Sequence, residues 1–269
     1  MSKLVSDTLW AIVEPLLPPA KERRFRSPGR KPVDNRVALS VIVFVLKTGI
    51  PWEDVPQEMG CCGMTAWSRL DQWQQVGVWD KVHQAILDEL EAQGKLDWSK
   101  SAVDSSSVRA TQGGEDTGPN PTDRAKPGTK HHALTEGQGL PLAVEVTAAN
   151  RNDITQLKPL VEDIPPLKNP QTKRRRQRRP KKLLADRAYD SQPHREWLEE
   201  QGVVPKLAQR NTERNTEHGS GLGKERWPVE RLFAWLHDDR KIRVRDERDS
   251  PIHKALVTLA AALVCFCAL

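Results

Sequence analysis

His131–Asn150 reads HHALTEGQGLPLAVEVTAAN, and its reading decides the fold. A strand over Lys130–Leu134 turns at Glu136-Gly137-Gln138-Gly139 and returns as LAVEVTA, with apolar residues alternating. That is the pattern of a β-hairpin. On a strand, His131 and His132 point to opposite faces. Ordinary packing and a place near a site are both open to them. Upstream, KLDWSKSAVDSSSVRA carries a short β run ending in Val103-Asp104-Ser105, so Asp104 lies on a strand leaving the core. Gly113–Lys130 is a Gly/Pro-rich loop without core residues. Downstream, Asn152–Val161 reads as a helix. Leu183-Leu184-Ala185 makes a short buried strand that Asp186 ends. Ser191–Glu200 is helical, and Gly202–Pro205 is a further strand.

The first part of the chain has the other periodicity. Ser6 can cap a helix whose stripe is Leu9, Ile12, Val13 and Leu16, kinked at Pro15. Asp34 can cap Asn35–Thr48, which is apolar nearly all round and so central and buried. Thr65 can cap TAWSRLDQWQQ. With the turn before it this resembles a helix-turn-helix, in which Arg69, Gln72, Gln74 and Gln75 face a groove over Trp67, Leu70 and Trp73. A plain helical bundle reads the same way. Val78–Gln93 keeps Trp79, Val82, His83, Ile86, Leu87 and Leu90 on one face, with His83 a packed edge residue. Residues 1–95 are therefore an all-α unit, and 96–269 a mixed α/β unit.

Charge points to an acidic polymer as partner. The 269 residues hold 42 Lys and Arg against 36 Asp and Glu, a net charge of +6. Much of the excess is clustered. KERRFRSPGRKP (Lys21–Pro32) and TKRRRQRRPKK (Thr172–Lys182) are each either a solvated loop or a phosphate-binding segment. The four cysteines, Cys61, Cys62, Cys265 and Cys267, lack zinc spacing and read as reduced thiols of a cytoplasmic protein. The apolar run Ala255–Leu269 is shorter than the roughly 20 residues of a membrane span and reads as a core helix.

The chemistry gathers at WPVERLFAWLHDDRKIRVRD, Trp227–Asp246. Val229, Leu232, Phe233 and Leu236 form one buried helical face, and Pro228 suits a first turn. Glu230 sits at the edge of that face. Alone it is a rim residue or a group aimed into a site. The order strand, hairpin strands, helix, strand, helix, strand, helix, helix suits a ribonuclease-H-like mixed sheet. In such a sheet Asp104, Asp186 and Glu230 would converge on one edge. Gathered carboxylates need a cation, and oxygen donors suit Mg²⁺ or Mn²⁺. Two such ions, about 3.5–4 Å apart, can serve phosphoryl transfer. The basic tail Arg240, Lys241, Arg243 and Arg245 would hold DNA beside them.

The motifs occur in a known order. They are LWAIVEPLLP, GRKPVDNRVAL, VFVLKTGIPWEDVPQEMGC and GMTAWSRLDQWQQVGVW, then AVDSSSVRA, TGPNPTDRAKPGTKHHALTEGQGLPLAVEVTAANRND, LADRAYDS, NTEHGSGLG and RWPVERLFAWLH. Through them the chain resembles the DDE transposases of bacterial insertion sequences, specifically the insertion-sequence-five group. The resemblance implies a ribonuclease-H-like catalytic domain, with Asp104, Asp186 and Glu230 as catalytic and metal-binding acids. It implies Mg²⁺ dependence, binding of terminal inverted repeats by the helical region, strand cleavage by water, and joining of the freed 3′-hydroxyl to target DNA. Arg226, four residues before Glu230, fits the superfamily's signature, whereas Gly223 and His237 replace its Tyr and Lys. Tyr189 matches the aromatic after the second acid; stacking a displaced base and packing the strand end are its two uses. Expected DNA contacts are Arg69, Lys126, Lys130, Arg174, Arg175, Arg176, Arg178, Arg179, Arg226, Arg240 and Lys241, in a homo-oligomeric complex. Pro228, Asp238-Asp239 and the NTER/NTEH repeat depart from the pattern. A catalytically inactive DNA-binding relative and a nuclease that cuts without joining are the alternatives.

Overall fold

A computed structural model describes residues 4–19, 26, 31–169, 171–172, 174–208 and 223–269, with 223–225 described by their backbone. The basic arm at 21–32 falls largely outside the described residues, and so does the NTER/NTEH repeat. Among the described residues, no helix is long and apolar enough to cross a membrane.

The helical region begins with α1 (Asp7–Val13), where the Ser6 hydroxyl accepts the Leu9 N–H at 3.1 Å. A 3₁₀ turn, Glu14–Leu16, follows at Pro15. Helix α2 (Asn35–Thr48) is capped by Asp34, which accepts the N–H groups of Arg36 and Val37. Gly49 ends it at φ 71°, a left-handed conformation that glycine adopts without strain. Helix α3 (Gly63–Gln75) starts earlier than the sequence suggested, with Cys62 at the cap and Thr65 inside. A Cβ at residue 63 would lie 1.8 Å from the Trp52 carbonyl oxygen, so the close turn entering α3 requires glycine there. Helix α4 (Val78–Ala92) buries Trp79, Val82, Ile86, Leu87 and Leu90. His83 is buried with them, its Nε2 2.9 Å from the Pro141 carbonyl.

The sheet follows. Its strands are β1 (Ser101–Arg109), β2 (Gly118–Pro119), β3 (Pro127–Glu136), β4 (Pro141–Ala148), β7 (Lys182–Ala185) and β8 (Val204–Leu207); β5 (Leu167–Lys168) and β6 (Arg175–Arg176) form a separate ribbon. Strand β3 is antiparallel to β1 along the whole of β1, and β4 and β2 share its other edge. On its far side β1 is parallel to β7, and β7 to β8. Three antiparallel strands continued by two parallel ones make a ribonuclease-H-like sheet. Helices α5 (Leu157–Glu162) and α6 (Gln192–Glu200) lie between strands in sequence.

Further boundaries differ from the sequence reading. The segment 152–161 is a 3₁₀ turn (Asp153–Gln156) followed by α5, β3 extends beyond Lys130–Leu134 at both ends, and β8 lies two residues later than Gly202–Pro205. Two more bear on the site. Strand β1 does not end at Asp104 but runs on to Arg109, because β3 supplies a partner for every residue of the serine run. Helix α7 (Gly223–Asp238) begins ahead of Trp227, so Pro228 lies inside it. Proline there removes one helical hydrogen bond and crowds the preceding turn. Helices α8 (Arg240–Arg243) and α9 (Ser250–Phe266) complete the chain. Helix α9 packs on α3, α4 and β4 together, and one hydrophobic core runs from Val5 to Cys265 across the change at residue 95.

Candidate active site

The parallel pairing of β1 and β7 places the first two acids. Ala102 pairs with Leu184, and each strand then carries its aspartate two residues further on, Asp104 and Asp186. Equal offsets on parallel neighbours put both on the same pleat, Asp104 within β1 and Asp186 just past the end of β7. Asp104 lies mid-strand on β1, with its side chain 19% exposed. Its Oδ1 accepts the Ser105 N–H at 2.8 Å, and its Oδ2 accepts Arg226 Nη2 at 2.8 Å. Burial pushes the Asp104 carboxyl above the usual carboxylate range. The Ser105 N–H and Arg226 pull it back, and the charge of Asp186 adds to the rise. Asp186 opens the 3₁₀ turn Arg187–Tyr189 and accepts the Ala188 N–H at 2.8 Å.

Glu230 lies on α7, one turn beyond Arg226, and is exposed. The buried face of α7 is as the spacing predicts, with Val229, Leu232, Phe233 and Leu236 in the core. The structure brings Asp104 and Asp186 into electrostatic reach of each other but does not gather Glu230 with them. Among the described residues, no group of three or more His, Cys, Asp or Glu is placed to hold a metal ion.

Sequence reasoning passed over a fourth acid. Asp153 Oδ1 accepts the Ser105 hydroxyl at 2.9 Å and Lys130 Nζ at 2.8 Å, and His132 Nδ1 lies 3.9 Å from it. His132 is thus the histidine beside Asp153. Its neighbour His131 turns to the opposite face, with Nε2 2.8 Å from that of His253. The serine after Asp104 and the acid in the hairpin's exit turn were the available signals. Also missed was a stripe on the outer side of α7, where Arg231 lies between the rings of Trp227 and Trp235 at 4.2 and 4.5 Å. Its four-residue spacing is visible in the sequence.

Several expected DNA contacts are held inside the protein. Lys130 is buried, and its Nζ also donates to the Arg151 carbonyl at 2.9 Å. Lys241 is buried 3.3 Å from Glu247. Arg245 is fully buried, donating to the Glu247, Asp116 and Arg248 carbonyls and to the Thr129 hydroxyl. Such positions leave no cation for a phosphate. In the basic run, Arg175 pairs with Asp88 at 3.0 Å, while Arg178 pairs with Glu91 and stacks 4.8 Å from the Trp98 ring. Arg174, Arg176, Lys126 and Arg240 are exposed, and Arg179 is half-buried. On α3, Arg69, Gln72 and Gln75 line a groove of about 1080 Å³. Tyr189 is 1% exposed, so it packs the strand end and presents no ring face to a base.

Residues 98–265 match the family described as the transposase DDE domain, and residues 5–83 a family of IS4/5-type transposases. The transposase of insertion sequence element IS402 from Burkholderia cepacia is 51% identical over 150 residues, 56% of this chain and 68% of that protein. The transposase of insertion sequence element IS1106 from Neisseria meningitidis serogroup B is 32% identical over 124 residues, 44% of this chain and 38% of that protein. Among solved structures, the Mos1 strand transfer complex is similar at 10% identity and a TM-score of 0.27, over 92% of this chain and 81% of that one. The family matches, together with the extent of identity to the IS402 protein, establish that the chain belongs to the DDE transposases of insertion sequences.

Proposed function

We propose that this transposase binds the terminal inverted repeats of its element, cleaves the DNA strands there, and joins the freed 3′-hydroxyl to target DNA. The helical region 1–95 recognises the ends, and 96–269 carries the chemistry, in a homo-oligomeric complex at the bacterial nucleoid. Asp104, Asp186 and Glu230 are the catalytic acids. The observation that carries this reading is the shared register of Asp104 and Asp186 on adjacent parallel strands.

The donor set fits a hard divalent cation. It consists of carboxylate oxygens, and Asp104 stands partly buried within electrostatic reach of Asp186, its carboxyl raised first by burial and then by that neighbouring charge. Asp104 and Asp186 would hold Mg²⁺ or Mn²⁺, with Glu230 as the third donor of the set. Two such ions would supply activation of the attacking oxygen and stabilisation of the leaving one. The chain's own part is to orient. Ser105 N–H fixes one oxygen of Asp104, and Ala188 N–H fixes one of Asp186. The exposed cations Arg174, Arg176, Lys126 and Arg240 neutralise phosphates.

One observation favours a second reading, a DNA-binding protein without turnover: Arg226 occupies Asp104 while Glu230 stands outside the acid pair. An excision assay with a marked element between its inverted repeats, with and without Mg²⁺, separates the two. A transposase keeps end binding and loses Mg²⁺-dependent excision in each of Asp104→Ala, Asp186→Ala and Glu230→Ala. Absence of excision by the wild-type chain would establish the binder, and excision by Glu230→Ala would remove the third acid from the assignment.

A further inference from the structure

The β1–β7 ladder pairs Ser101 with Leu183 and Ala102 with Leu184 and stops there, two residues short of each aspartate. The ladder therefore does not itself fix the spacing of Asp104 and Asp186. Neighbouring strands lie about 4.7–4.9 Å apart, and two carboxylates at matching offsets on such strands repel each other. Something beyond the sheet has to hold them in place.

Asp153 supplies a tie. Successive residues of a strand face opposite ways, so the Ser105 side chain lies on the other face of β1 from Asp104. There its hydroxyl donates to Asp153 Oδ1 at 2.9 Å, while its N–H donates to Asp104 Oδ1 at 2.8 Å. One residue thus carries a hydrogen bond to each of the two acids. Asp153 is itself held. The same Oδ1 accepts Lys130 Nζ at 2.8 Å, and that nitrogen also donates to the Arg151 carbonyl at 2.9 Å. The side chains of Lys130 and Asp153 are only 11% and 21% exposed, so little water competes for the pair. Asp153 begins the 3₁₀ turn Asp153–Gln156, which lies against the turn Arg187–Tyr189 that follows Asp186. This one turn is therefore joined to β1 beside the first aspartate and to the chain beside the second.

We infer that Asp153 is a positioning residue for the acid pair: through the Ser105 hydroxyl on one side and the packed 3₁₀ turns on the other, it sets how far apart Asp104 and Asp186 stand to receive a cation. The inference rests on the reading of Asp104 and Asp186 as metal-binding acids. Groups that orient a metal ligand from behind typically change metal affinity by about 10–100-fold when removed. The Ser105–Asp153 contact acts one bond further back, so its effect belongs at the lower end of that range.

Ser105→Ala removes the hydroxyl and keeps the N–H that Asp104 accepts, whereas Ser105→Thr keeps both donors. Mn²⁺ binding to the full chain is followed by loss of the free-ion paramagnetic signal, with thermal unfolding and DNA-end binding measured beside it. The expected result is Mn²⁺ affinity lowered roughly tenfold in Ser105→Ala and restored in Ser105→Thr, with end binding unchanged in both. Wild-type Mn²⁺ affinity in Ser105→Ala would overturn the proposal even if the melting temperature fell, since a purely structural contact moves only the latter. Affinity that stays low in Ser105→Thr would overturn it as well. A second comparison tests the route through Asp153. Asp153→Ala combined with Lys130→Met removes the ion pair as a unit, so no buried charge is left without a partner. In that background Ser105→Ala should lower Mn²⁺ affinity no further, because residues that act through one contact are not additive. A further tenfold loss there would show that Ser105 does not act through Asp153. Asp104→Asn separates all this from the underlying reading: if it binds Mn²⁺ as the wild type does, the metal assignment itself falls.

Discussion

Arg226 Nη2 donates to Asp104 Oδ2 across 2.8 Å, so a single ion pair, largely shielded from solvent, joins helix α7 to the central strand β1. Removing the cation leaves a buried carboxylate short of a partner. Arg226→Ala should lose about 1–3 kcal/mol of stability, measured by denaturant unfolding at neutral pH. The Asp104 carboxyl, already raised by burial, then rises further. A raised acid binds its proton more readily in the folded state, so the deficit should shrink as pH falls through its folded value. A deficit of equal size at neutral and acid pH would show that the pair does not set the charge of Asp104.

Buried histidines make a separate pH prediction. Burial lowers His83 and His132 from 6.5 to about 4 and His131 to about 3, and holds His253 well below its ordinary value. The folded chain keeps these rings neutral, while the unfolded chain protonates them as pH falls below 6.5. Their contribution is complete above that value and is lost as pH drops toward 4. Each ring contributes a slope of about 1.4 kcal/mol per pH unit in that window. Denaturant midpoints at several pH values, for the wild type and His83→Leu, provide the check, and the variant should show the shallower slope.

The arginines of the basic run should divide into two classes. Neutralising Arg174 and Arg176, which are exposed, should weaken binding to any DNA sequence while the melting temperature stays near wild type. The salt slope should fall by roughly 0.9 for each phosphate that is no longer neutralised. Replacing Arg175 and Arg178 should act first on the fold, since their guanidinium groups fasten the β5–β6 ribbon to Asp88 and Glu91 on α4. Binding isotherms over a salt series, beside thermal unfolding, separate the two. An unchanged slope in the Arg174/Arg176 variant returns those residues to ordinary solvated surface.

Gly139 has φ 94° in the β3–β4 turn, and a Cβ there would lie 2.9 Å from the Pro228 carbonyl oxygen of α7. Arg231 donates to the Gln138 carbonyl of the same turn. Gly139→Ala should therefore push α7 from its seat and strain the turn, costing about 1–3 kcal/mol. Because Arg226 and Glu230 ride on that helix, strand cleavage should fall more than DNA binding. A variant of normal stability and normal cleavage would mean that the turn does not seat the helix.

Much of this was legible in the sequence. The caps at Ser6 and Asp34 and the stripe on α4 are local signals, and the hairpin announced its own turn. Asp186 follows directly on a buried strand, so its place could be read. The extent of β1 could not, because Ser105, Ser106 and Ser107 carry no apolar alternation and are held by pairing with β3. Nor could the fate of individual cations. A lysine on a strand counts toward net charge wherever it points, and Lys130 turns inward because Asp153 arrives there from a later element. Glu230 was readable as a residue on a helix edge, but its distance from the aspartates depends on how α7 crosses the sheet.

Helix α9 lies over α3, α4 and β4 at once. The helical half is translated first, yet its apolar faces acquire their cover only when this much later segment emerges from the ribosome. Until then the parts of α3 and α4 that α9 covers stay open, a condition that slows folding and invites association with other nascent proteins. A newly made transposase is therefore assembled late and as a whole.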